Sequence, residues 1–466
     1  MSDPVLSQVL AKLDSERAAT EASLIEWLRI PSVSAQPAHA PDCRKAGQWL
    51  VDQLTAIGFT AALEETGGHP VVRATHPGPG PGANVPRVLI YGHYDVQPAE
   101  PFELWHTPPF EPSVVDGPLG KRVVARGAVD DKGQCVTWLA ALRAWHAVTG
   151  APPLPITILV EGEEEVGSVS LDGYLTQNRD RLKADIALIS DTGMWNATTP
   201  AISTSLRGLL YVQIDLKQAV RDLHSGMFGG SAGNVLNTMT KVLGGLHDEN
   251  GRITIPRFYD GIPEASPEAR AALAALDFDE KAFLADQGLS VPVGEKDRSP
   301  LERLWTRPTA DINGIWGGYT GAGSKTVIAA EGHAKLSFRL VPGQDPDAIL
   351  AGLREWLDKR LPADATYEIQ VFGKAVGIAV PTDSDSFIAA REALTDEFGK
   401  APVMAGCGGS IPVVDSLKRI LGLDTLLVGF GLDDDQVHSP NEKFELTLLH
   451  AGARAQARLM HKLAGG

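Results

Sequence analysis

The sequence predicts an α/β protein in which helices flank a mixed, largely parallel sheet, with a second α+β domain inserted into the first. Short apolar runs at residues 87–91, 155–160 and 185–189 are typical of buried strands, and helical patterns separate them. By contrast, residues 209–216 and 333–340 alternate apolar and polar side chains, as in strands that have one solvated face. This change of pattern indicates two domains, one with a buried sheet and one whose sheet has a solvated face.

The domain boundaries follow from the same change. We expect a discontinuous main domain of residues 1–205 and 376–466, interrupted by an inserted domain of residues 206–375. A chain of 466 residues is also too long for one simple core, so two domains are the natural expectation.

The remaining elements of the main domain are predicted in chain order. Helical spacing of apolar residues indicates helices over residues 5–28 and 46–57. The Pro/Gly stretch at residues 77–86 indicates a loop before the first buried strand. Residues 135–148 have a helical pattern rich in Ala, Leu and Trp, and a final helix is expected from about Glu442. Helices are also predicted over 232–243 and 345–360 in the insert, and strand and helix alternation resumes over 384–398 and 425–431.

Composition excludes several classes of protein. A hydrophobic fraction of 43% and a charged fraction of 21% are typical of globular chains and argue against disorder. The formal net charge of −16, without a Lys/Arg cluster, argues against a nucleic-acid partner. No apolar run approaches the ~18 residues of a membrane span, and the charged N-terminal segment lacks the apolar core of a signal peptide. Three widely spaced cysteines fit a reducing compartment, so we expect a soluble cytoplasmic protein.

Two short segments contain residue types that bind metals. One follows the first predicted buried strand, and the other precedes the helix predicted over residues 135–148. His93 and Asp95 form a His-x-Asp pattern, and an i, i+2 pair on extended backbone points to one side. Asp130 and Asp131 lie between glycines, where adjacent carboxylates repel each other unless a cation neutralises them or both face water. Both patterns are compatible with a metal centre.

Three further segments extend the pattern. Four acids stand within residues 161–165 at the end of an apolar strand, Asp191 follows the next strand, and His438 lies before the final helix. Open α/β sheets bind ligands at the carboxyl ends of their strands. Two imidazoles and three carboxylates suit a pair of divalent ions, zinc first, and Glu164 would then remain as a proton carrier. The predicted metal ligands are His93, Asp130, Glu165, Asp191 and His438.

Each segment alone also has a purely structural interpretation. The His-x-Asp pattern fits a surface turn, and the Asp130-Asp131 pair fits a solvated loop with a helix-capping carboxylate. The acidic run fits a solvated face, and His438 fits a structural hydrogen bond. The metal centre is favoured because all the segments fall at strand ends or loops of one predicted sheet edge.

The order of these motifs resembles the zinc aminoacylase and dipeptidase family that includes carboxypeptidase G, cytosolic non-specific dipeptidase and succinyl-diaminopimelate desuccinylase. The resemblance runs from about residue 20 to the C-terminus. It implies two zinc ions bridged by Asp130 and a water, with manganese and cobalt left open as the working metal. His93 and Asp191 would complete the ligand set of one zinc ion, and Glu165 and His438 that of the other.

The resemblance also implies roles for residues that do not bind metal. Asp95 would orient the site, Glu164 would act as the general base, and a cis peptide bond would follow Asp130. The inserted domain would serve as a lid and dimerisation domain, and the main domain would hold the metals and the catalytic residues.

Three motifs are similar to the dipeptidase and carnosinase branch of the family. RDLHSG at residues 221–226 contains His224, which in this branch stabilises the oxyanion across a dimer interface. LSFRLVP at residues 336–342 contains Arg339, expected to bind the carboxylate of the substrate through its guanidinium fork. A cross-strand surface salt bridge is the alternative for Arg339. The resemblance implies further substrate contacts at Thr326, Gly409 and Ser410, the last two in the GGSIP loop.

The chain departs from the branch near the substrate end. Residues 405–407 read Ala-Gly-Cys where many members have an Arg-Glu pair, and residues 381–384 replace a His-rich turn. These departures leave the preferred dipeptide open without affecting the predicted metal ligands.

The sequence therefore predicts a homodimeric, zinc-dependent dipeptidase that acts on small amides with a free C-terminal carboxylate. An N-acyl-amino-acid deacylase of the same family would share every metal ligand, so it remains an alternative. A metal- or peptide-binding protein without catalysis is an alternative from another class, although it would not need Glu164 as a proton carrier. A structural scaffold with a solvated acidic loop is the last alternative.

Overall fold

The structure is a computed structural model that describes residues 3–79, 85–285, 287–408 and 411–466. The chain divides into two compact units. Unit 1 comprises Met1–Thr204, Val380–Ala405 and Pro412–Gly466, and unit 2 comprises Ser205–Ala379 and Gly406–Ile411. The sequence places boundaries after residues 205 and 375, and it gives no sign that residues 406–411 return to unit 2.

Helices and strands are numbered in chain order over the described residues. The helices are α1 (Pro4–Ser15), α2 (Arg17–Leu28), α3 (Ala40–Ala56), α4 (Lys132–Thr149), α5 (Leu171–Gln177), α6 (Ser225–Phe228), α7 (Val235–Leu243), α8 (Pro267–Ala274), α9 (Glu280–Ala285), α10 (Pro300–Trp305), α11 (Pro346–Asp358), α12 (Asp385–Phe398), α13 (Pro412–Ser416) and α14 (Leu446–Leu463). The strands are β1 (Thr60–Glu64), β2 (Val71–His76), β3 (Val88–His93), β4 (Ser113–Gly117), β5 (Gly120–Val124), β6 (Ile156–Glu161), β7 (Ile186–Ile189), β8 (Ala201–Leu206), β9 (Gly208–Lys217), β10 (Leu223–His224), β11 (Thr309–Gly317), β12 (Val327–Ile328), β13 (Glu331–Leu340), β14 (Thr366–Ala375), β15 (Ile378–Ala379), β16 (Val403–Cys407), β17 (Thr425–Leu427) and β18 (Lys443–Glu445).

The main sheet of unit 1 has the strand order β1-β2-β6-β3-β7-β17. Strands β6, β3, β7 and β17 run parallel, and β2 and β1 continue the sheet as an antiparallel edge. This confirms the predicted mixed, largely parallel sheet. Every residue of β3 and β7 is buried, which explains their uninterrupted apolar sequences. Because parallel strands end at one edge, the loops after β3, β6 and β7 are brought together there.

Helices of unit 1 cover this sheet and form one hydrophobic core with it. The core includes residues of α1, α2, α3, α4, α12 and α14, and Trp27 and Trp49 stack within it at 4.8 Å. Lys132, the first residue of α4, is fully buried and donates to the carbonyl of Ile30 at 2.8 Å. The start of α4, directly after Asp130 and Asp131, is thereby tied to the N-terminal helices.

Three predicted helix boundaries were wrong. The helix predicted over residues 5–28 is two helices, because the backbone at Glu16 leaves the helical region and its N–H closes the end of α1. The next helix begins at Ala40 instead of 46. The final helix begins at Leu446 instead of about Glu442, because residues 443–445 pair as β18 with β5.

A second, three-stranded antiparallel sheet in unit 1 has the order β18-β5-β4. Strand β5 leads into the segment that carries Asp130, and β18 follows the loop that carries His438. The expectation that all the candidate ligands share one sheet edge was therefore wrong for these two residues. They are attached to a separate small sheet that the sequence did not indicate.

Unit 2 is built on an antiparallel sheet with the order β11-β13-β9-β14. In β9 and β13 every second side chain is buried, as the alternation in sequence predicted. The buried side chains form a core with α7 and α11. A short ladder pairs β10 with β12, and it places His224 opposite Val327. This is the predicted α+β insert. Among the described residues, no helix is both long and apolar enough to cross a bilayer.

Candidate metal centre

His93 ends β3 and is completely buried. Its Nδ1 lies 3.0 Å from the carbonyl oxygen of Asp95, and its Nε2 lies 3.0 Å from Oδ1 of Asp130. The hydrogen bond at Nδ1 favours the tautomer in which Nε2 carries a lone pair. Nε2 has no hydrogen-bond partner of acceptable geometry among the described residues, which suits a metal-binding nitrogen. The residue before His93 is Gly92, and it is closely packed: a Cβ on Gly92 would lie 2.5 Å from Sγ of Cys135.

Asp130 lies between two imidazoles. Its Oδ1 faces His93, and its Oδ2 lies 2.9 Å from Nε2 of His438. The peptide bond between Asp130 and Asp131 is cis, as the resemblance implies. One carboxylate with an imidazole on each oxygen is an arrangement that can bridge two cations.

The candidate ligands form two groups that share Asp130. One group consists of His93, Asp130 and Asp191, and the other of Asp130, Glu165 and His438. Within each group, one ligand atom from each residue lies within 4.8 Å of the others. Imidazole nitrogens and carboxylate oxygens are the donors that zinc and similar divalent ions accept. The residues present therefore fit divalent metal ions.

The electrostatics of the cluster favour a positively charged occupant. Burial, together with the charges of Asp191 and Glu165, raises the pKa of Glu164 to about 9 against the opposing effect of His93. Burial and Asp130 raise the pKa of Asp191 to about 7. Carboxylates crowded in this way are unfavourable as anions unless cations lie among them.

Asp95 holds the acidic loop in place. Its side chain is fully buried and accepts hydrogen bonds from the backbone N–H groups of Glu164 at 3.3 Å and Glu165 at 3.1 Å. The hydroxyl of Ser34 donates to the same carboxylate at 2.7 Å. These contacts fit the orienting role that the resemblance implies for Asp95.

The other two acids of the run have structural partners. Glu161 accepts the hydroxyl of Tyr91 at 2.6 Å, and Glu163 accepts the backbone N–H of His69 at 3.0 Å. Glu163 also accepts the backbone N–H of Ser170 at 3.0 Å. Glu161 and Glu163 therefore shape the loop, and Glu164 and Glu165 remain the candidates for its chemistry.

Sequence reasoning missed Gln97 and Glu442. The amide of Gln97 donates to Oε2 of Glu165 at 2.8 Å and orients that carboxylate. Its place two residues after Asp95 is the only local signal for it. Glu442 accepts backbone N–H groups from the segment that ends at Asp130, more than 300 residues earlier in the chain, so no local pattern indicates it.

The remaining predicted site residues belong to unit 2 or lie outside the described residues. His224 is exposed, and its Nδ1 accepts the backbone N–H of Gly226 at 3.1 Å. The backbone N–H of Ser225 donates to the carbonyl of Thr326 at 3.0 Å, so His224 and Thr326 are neighbours in unit 2. Gly409 and Ser410 lie outside the described residues.

Arg339 is half-buried on β13, opposite residues of β9 and β11. Burial and the positive charge of Arg339 lower the pKa of Arg207 to about 10. Two guanidinium groups therefore lie close enough in unit 2 for the charge of one to affect the other.

Known proteins are similar to this chain in sequence and fold. Residues 89–462 match Peptidase family M20/M25/M40. The chain is 32% identical over 458 residues to the Cys-Gly metallodipeptidase DUG1 of Candida albicans, a match that covers 93% of this chain and 92% of that protein. Human carnosine dipeptidase 1 has a TM-score of 0.83 and 28% identity, with 100% of both chains covered.

A third relative is the M20 family metallo-carboxypeptidase Sso-CP2 from Sulfolobus solfataricus. Its structure has a TM-score of 0.83 and 31% identity, and the match covers 96% of this chain and 99% of that chain. The chain thus belongs to Peptidase family M20/M25/M40 and is a hydrolase of the metallopeptidase type.

Proposed function

We propose that this chain is a dinuclear, zinc-dependent dipeptidase, with manganese and cobalt as alternative metals. It would hydrolyse the amide bond of dipeptides or similar small substrates that have a free C-terminal carboxylate. The observation that carries the proposal is the shared position of Asp130 between His93 and His438. The similarity to a Cys-Gly metallodipeptidase and to carnosine dipeptidase 1 supports dipeptides as the substrate class.

The ligands would divide between two ions. His93 and Asp191 would hold one ion, Glu165 and His438 the other, and Asp130 both, in line with the two groups of ligand atoms. When bound, such ions polarise a carbonyl group and promote the ionisation of water near neutral pH.

Glu164 would move the proton. It lies next to a proposed ligand in the chain, and its backbone N–H donates to Asp95. Burial raises the pKa of Glu164, and its carboxylate is close enough to His93, Asp191 and Glu165 for their charges to shift that pKa as well. In this proposal an oxygen of Glu164 takes a proton from the attacking water and then delivers it to the nitrogen of the leaving amine. Asp95 would act by holding both Glu164 and Glu165 in place.

Residues of unit 2 would recognise the substrate. Arg339 would bind the C-terminal carboxylate, since a guanidinium fork pairs two donors with two oxygens. Thr326, Gly409 and Ser410 would make further contacts with the substrate. His224 would stabilise the oxyanion in the second subunit of a homodimer formed through unit 2. We also propose a cytoplasmic location, since Cys43 and Cys135 are buried thiols without a disulfide.

Hydrolysis of a substrate panel tests this function. The panel contains free dipeptides, N-acetyl amino acids and N-blocked dipeptides, each with and without a chelator. We expect cleavage of free dipeptides that is lost on chelation and restored by zinc or manganese. Cleavage of only the N-acetyl compounds would establish the deacylase instead. Preference for N-blocked dipeptides would indicate a carboxypeptidase, the activity named for the Sulfolobus relative.

Mixed dimers test the role of His224. His224→Ala should lower the rate about 10²–10³-fold, the usual loss for one oxyanion donor. If His224 acts across a dimer, mixing His224→Ala with Glu164→Gln chains should recover part of the activity. Heterodimers that form but stay inactive would contradict a shared site.

A further inference from the structure

Arg126 and Glu442 form a buried ion pair beside the candidate metal centre. Their side chains are 1% and 0% exposed, and Nη1 of Arg126 donates to Oε2 of Glu442 at 2.8 Å. Neither residue belongs to the ligand groups. A buried ion pair is often no more stabilising than an apolar replacement, so stability alone gives little reason for it.

The carboxylate of Glu442 holds the backbone that carries Asp130. Its Oε1 accepts the N–H of Val129 at 3.0 Å and the N–H of Asp130 itself at 3.1 Å. Its Oε2 accepts the N–H of Gly127 at 2.9 Å in addition to Arg126. With four donors on two oxygens, this carboxylate fixes the segment that ends at the shared ligand.

The same pair connects that segment to two other loops. Nη2 of Arg126 donates to the carbonyl of Pro98 at 3.3 Å, and the guanidinium lies 5.5 Å from the Trp105 ring centre. Glu442 itself follows His438 by four residues. The pair therefore joins the loop after Asp95, the Asp130 segment and the His438 loop.

Asn441, the residue before Glu442, strengthens the attachment of the His438 loop. The side chain of Asn441 donates to the carbonyl of Leu104 at 2.9 Å and accepts the backbone N–H of His106 at 2.8 Å. Asn441 and His438 both have a positive φ, of 64° and 61°. A non-glycine backbone in this region persists only when its surroundings hold it, and these contacts do so.

We infer that Glu442, paired with Arg126, is a positioning residue that fixes Asp130 between His93 and His438 and thereby sets the affinity for both metal ions. This inference rests on the proposed dinuclear function. A neutral amide cannot replace the carboxylate. In glutamine an NH₂ group takes the place of one of the two acceptor oxygens, and that group would face N–H donors.

Zinc titration calorimetry on the chelator-treated, full-length chain tests the inference. We expect Glu442→Gln to bind zinc about 10–100-fold more weakly at both positions, the usual loss when a group behind a ligand is removed. The matched control is Glu397→Gln, since Glu397 pairs within unit 1 with two residues of α14, Arg454 at 2.7 Å and Arg458 at 2.8 Å. The control should keep the zinc affinity of the unmodified chain.

The possible results distinguish a failure of this inference from a failure of the proposed dinuclear function. Zinc affinity in Glu442→Gln equal to that of the unmodified chain would overturn the inference, and so would an equal loss in Glu397→Gln. If Glu442→Gln does not fold, Arg126→Lys takes its place, because it keeps the charge but loses the fork. Unchanged zinc affinity there would also overturn the inference. An unmodified chain that binds no zinc would refute the proposed function instead.

Discussion

The two imidazoles of the candidate metal centre occupy opposite environments. The side chain of His93 is 0% exposed, whereas that of His438 is 53% exposed. His93 ends a buried strand of the main parallel sheet, and His438 lies in a loop before the small antiparallel sheet. Yet both place Nε2 about equally close to Asp130, at 3.0 and 2.9 Å.

The comparison shows two ways of placing a ligand. The buried half of the centre consists of His93 and Asp191, and the open half consists of Glu165 and His438. The buried half relies on regular secondary structure, because neighbouring parallel strands place His93 and Asp191 at one edge of the sheet. The open half relies on contacts between segments distant in sequence, made by Gln97, Asn441 and Glu442. We expect the buried half to contribute to folding and the open half to depend more on individual hydrogen bonds.

The largest effect is expected at Glu164, which is held by Asp95 on the buried side and adjoins Glu165 on the open side. Glu164→Gln should lower the hydrolysis rate by about 10²–10⁴-fold, because it removes proton transfer. The bound metal should remain, since Glu164 is not in either ligand group. Steady-state kinetics and metal content measured on one preparation check both statements. Substantial residual turnover would remove Glu164 from this role.

A smaller effect is expected at Asp95, which acts on both halves through the backbone of Glu164 and Glu165. Asp95→Asn replaces one acceptor oxygen by an NH₂ group that faces N–H donors, so we expect about a 10–100-fold loss of metal affinity or activity. Zinc titration alongside kinetics measures the loss. Unchanged values for both would show that the acidic loop holds its shape without this carboxylate.

The smallest effect concerns the stability of the metal-free chain, and it tests the comparison itself. His93→Ala should lower the free energy of unfolding by about 1–3 kcal/mol, because it leaves buried polar partners unsatisfied. His438→Ala should lower it by less than about 1 kcal/mol, since exposed ion pairs contribute little. Urea unfolding of both variants after chelation gives the difference. Equal losses would contradict the division into buried and open halves.

The sequence revealed the parts of the site that depend on local pattern. His93 and Asp191 come at the ends of apolar runs that predicted buried strands. The strands of unit 2 were predicted in the same way from their alternating pattern. The small sheet of β4, β5 and β18 was not predicted, because its strands are short, and β4 and β5 are partly exposed. The sequence and its family resemblance assigned Glu164 and Glu165 to the centre. Local pattern could not show that Glu161 and Glu163 have structural partners, since Tyr91 and His69 are far away in the chain.

Glu442 marks the limit of such reasoning most clearly. The sequence predicted it as the start of a helix, whereas it is a buried acceptor for Asp130 and its neighbours. An isolated acid gives no periodic signal, and only the folded chain shows what it contacts.

The shared position of Asp130 is tested by the number of divalent ions bound per chain, measured together with dipeptide hydrolysis as zinc is removed and returned. We predict two zinc ions per chain, loss of hydrolysis on chelation, and recovery as zinc is restored. Binding of one ion or none, or hydrolysis that persists after complete chelation, would contradict a centre in which Asp130 is shared between two metals.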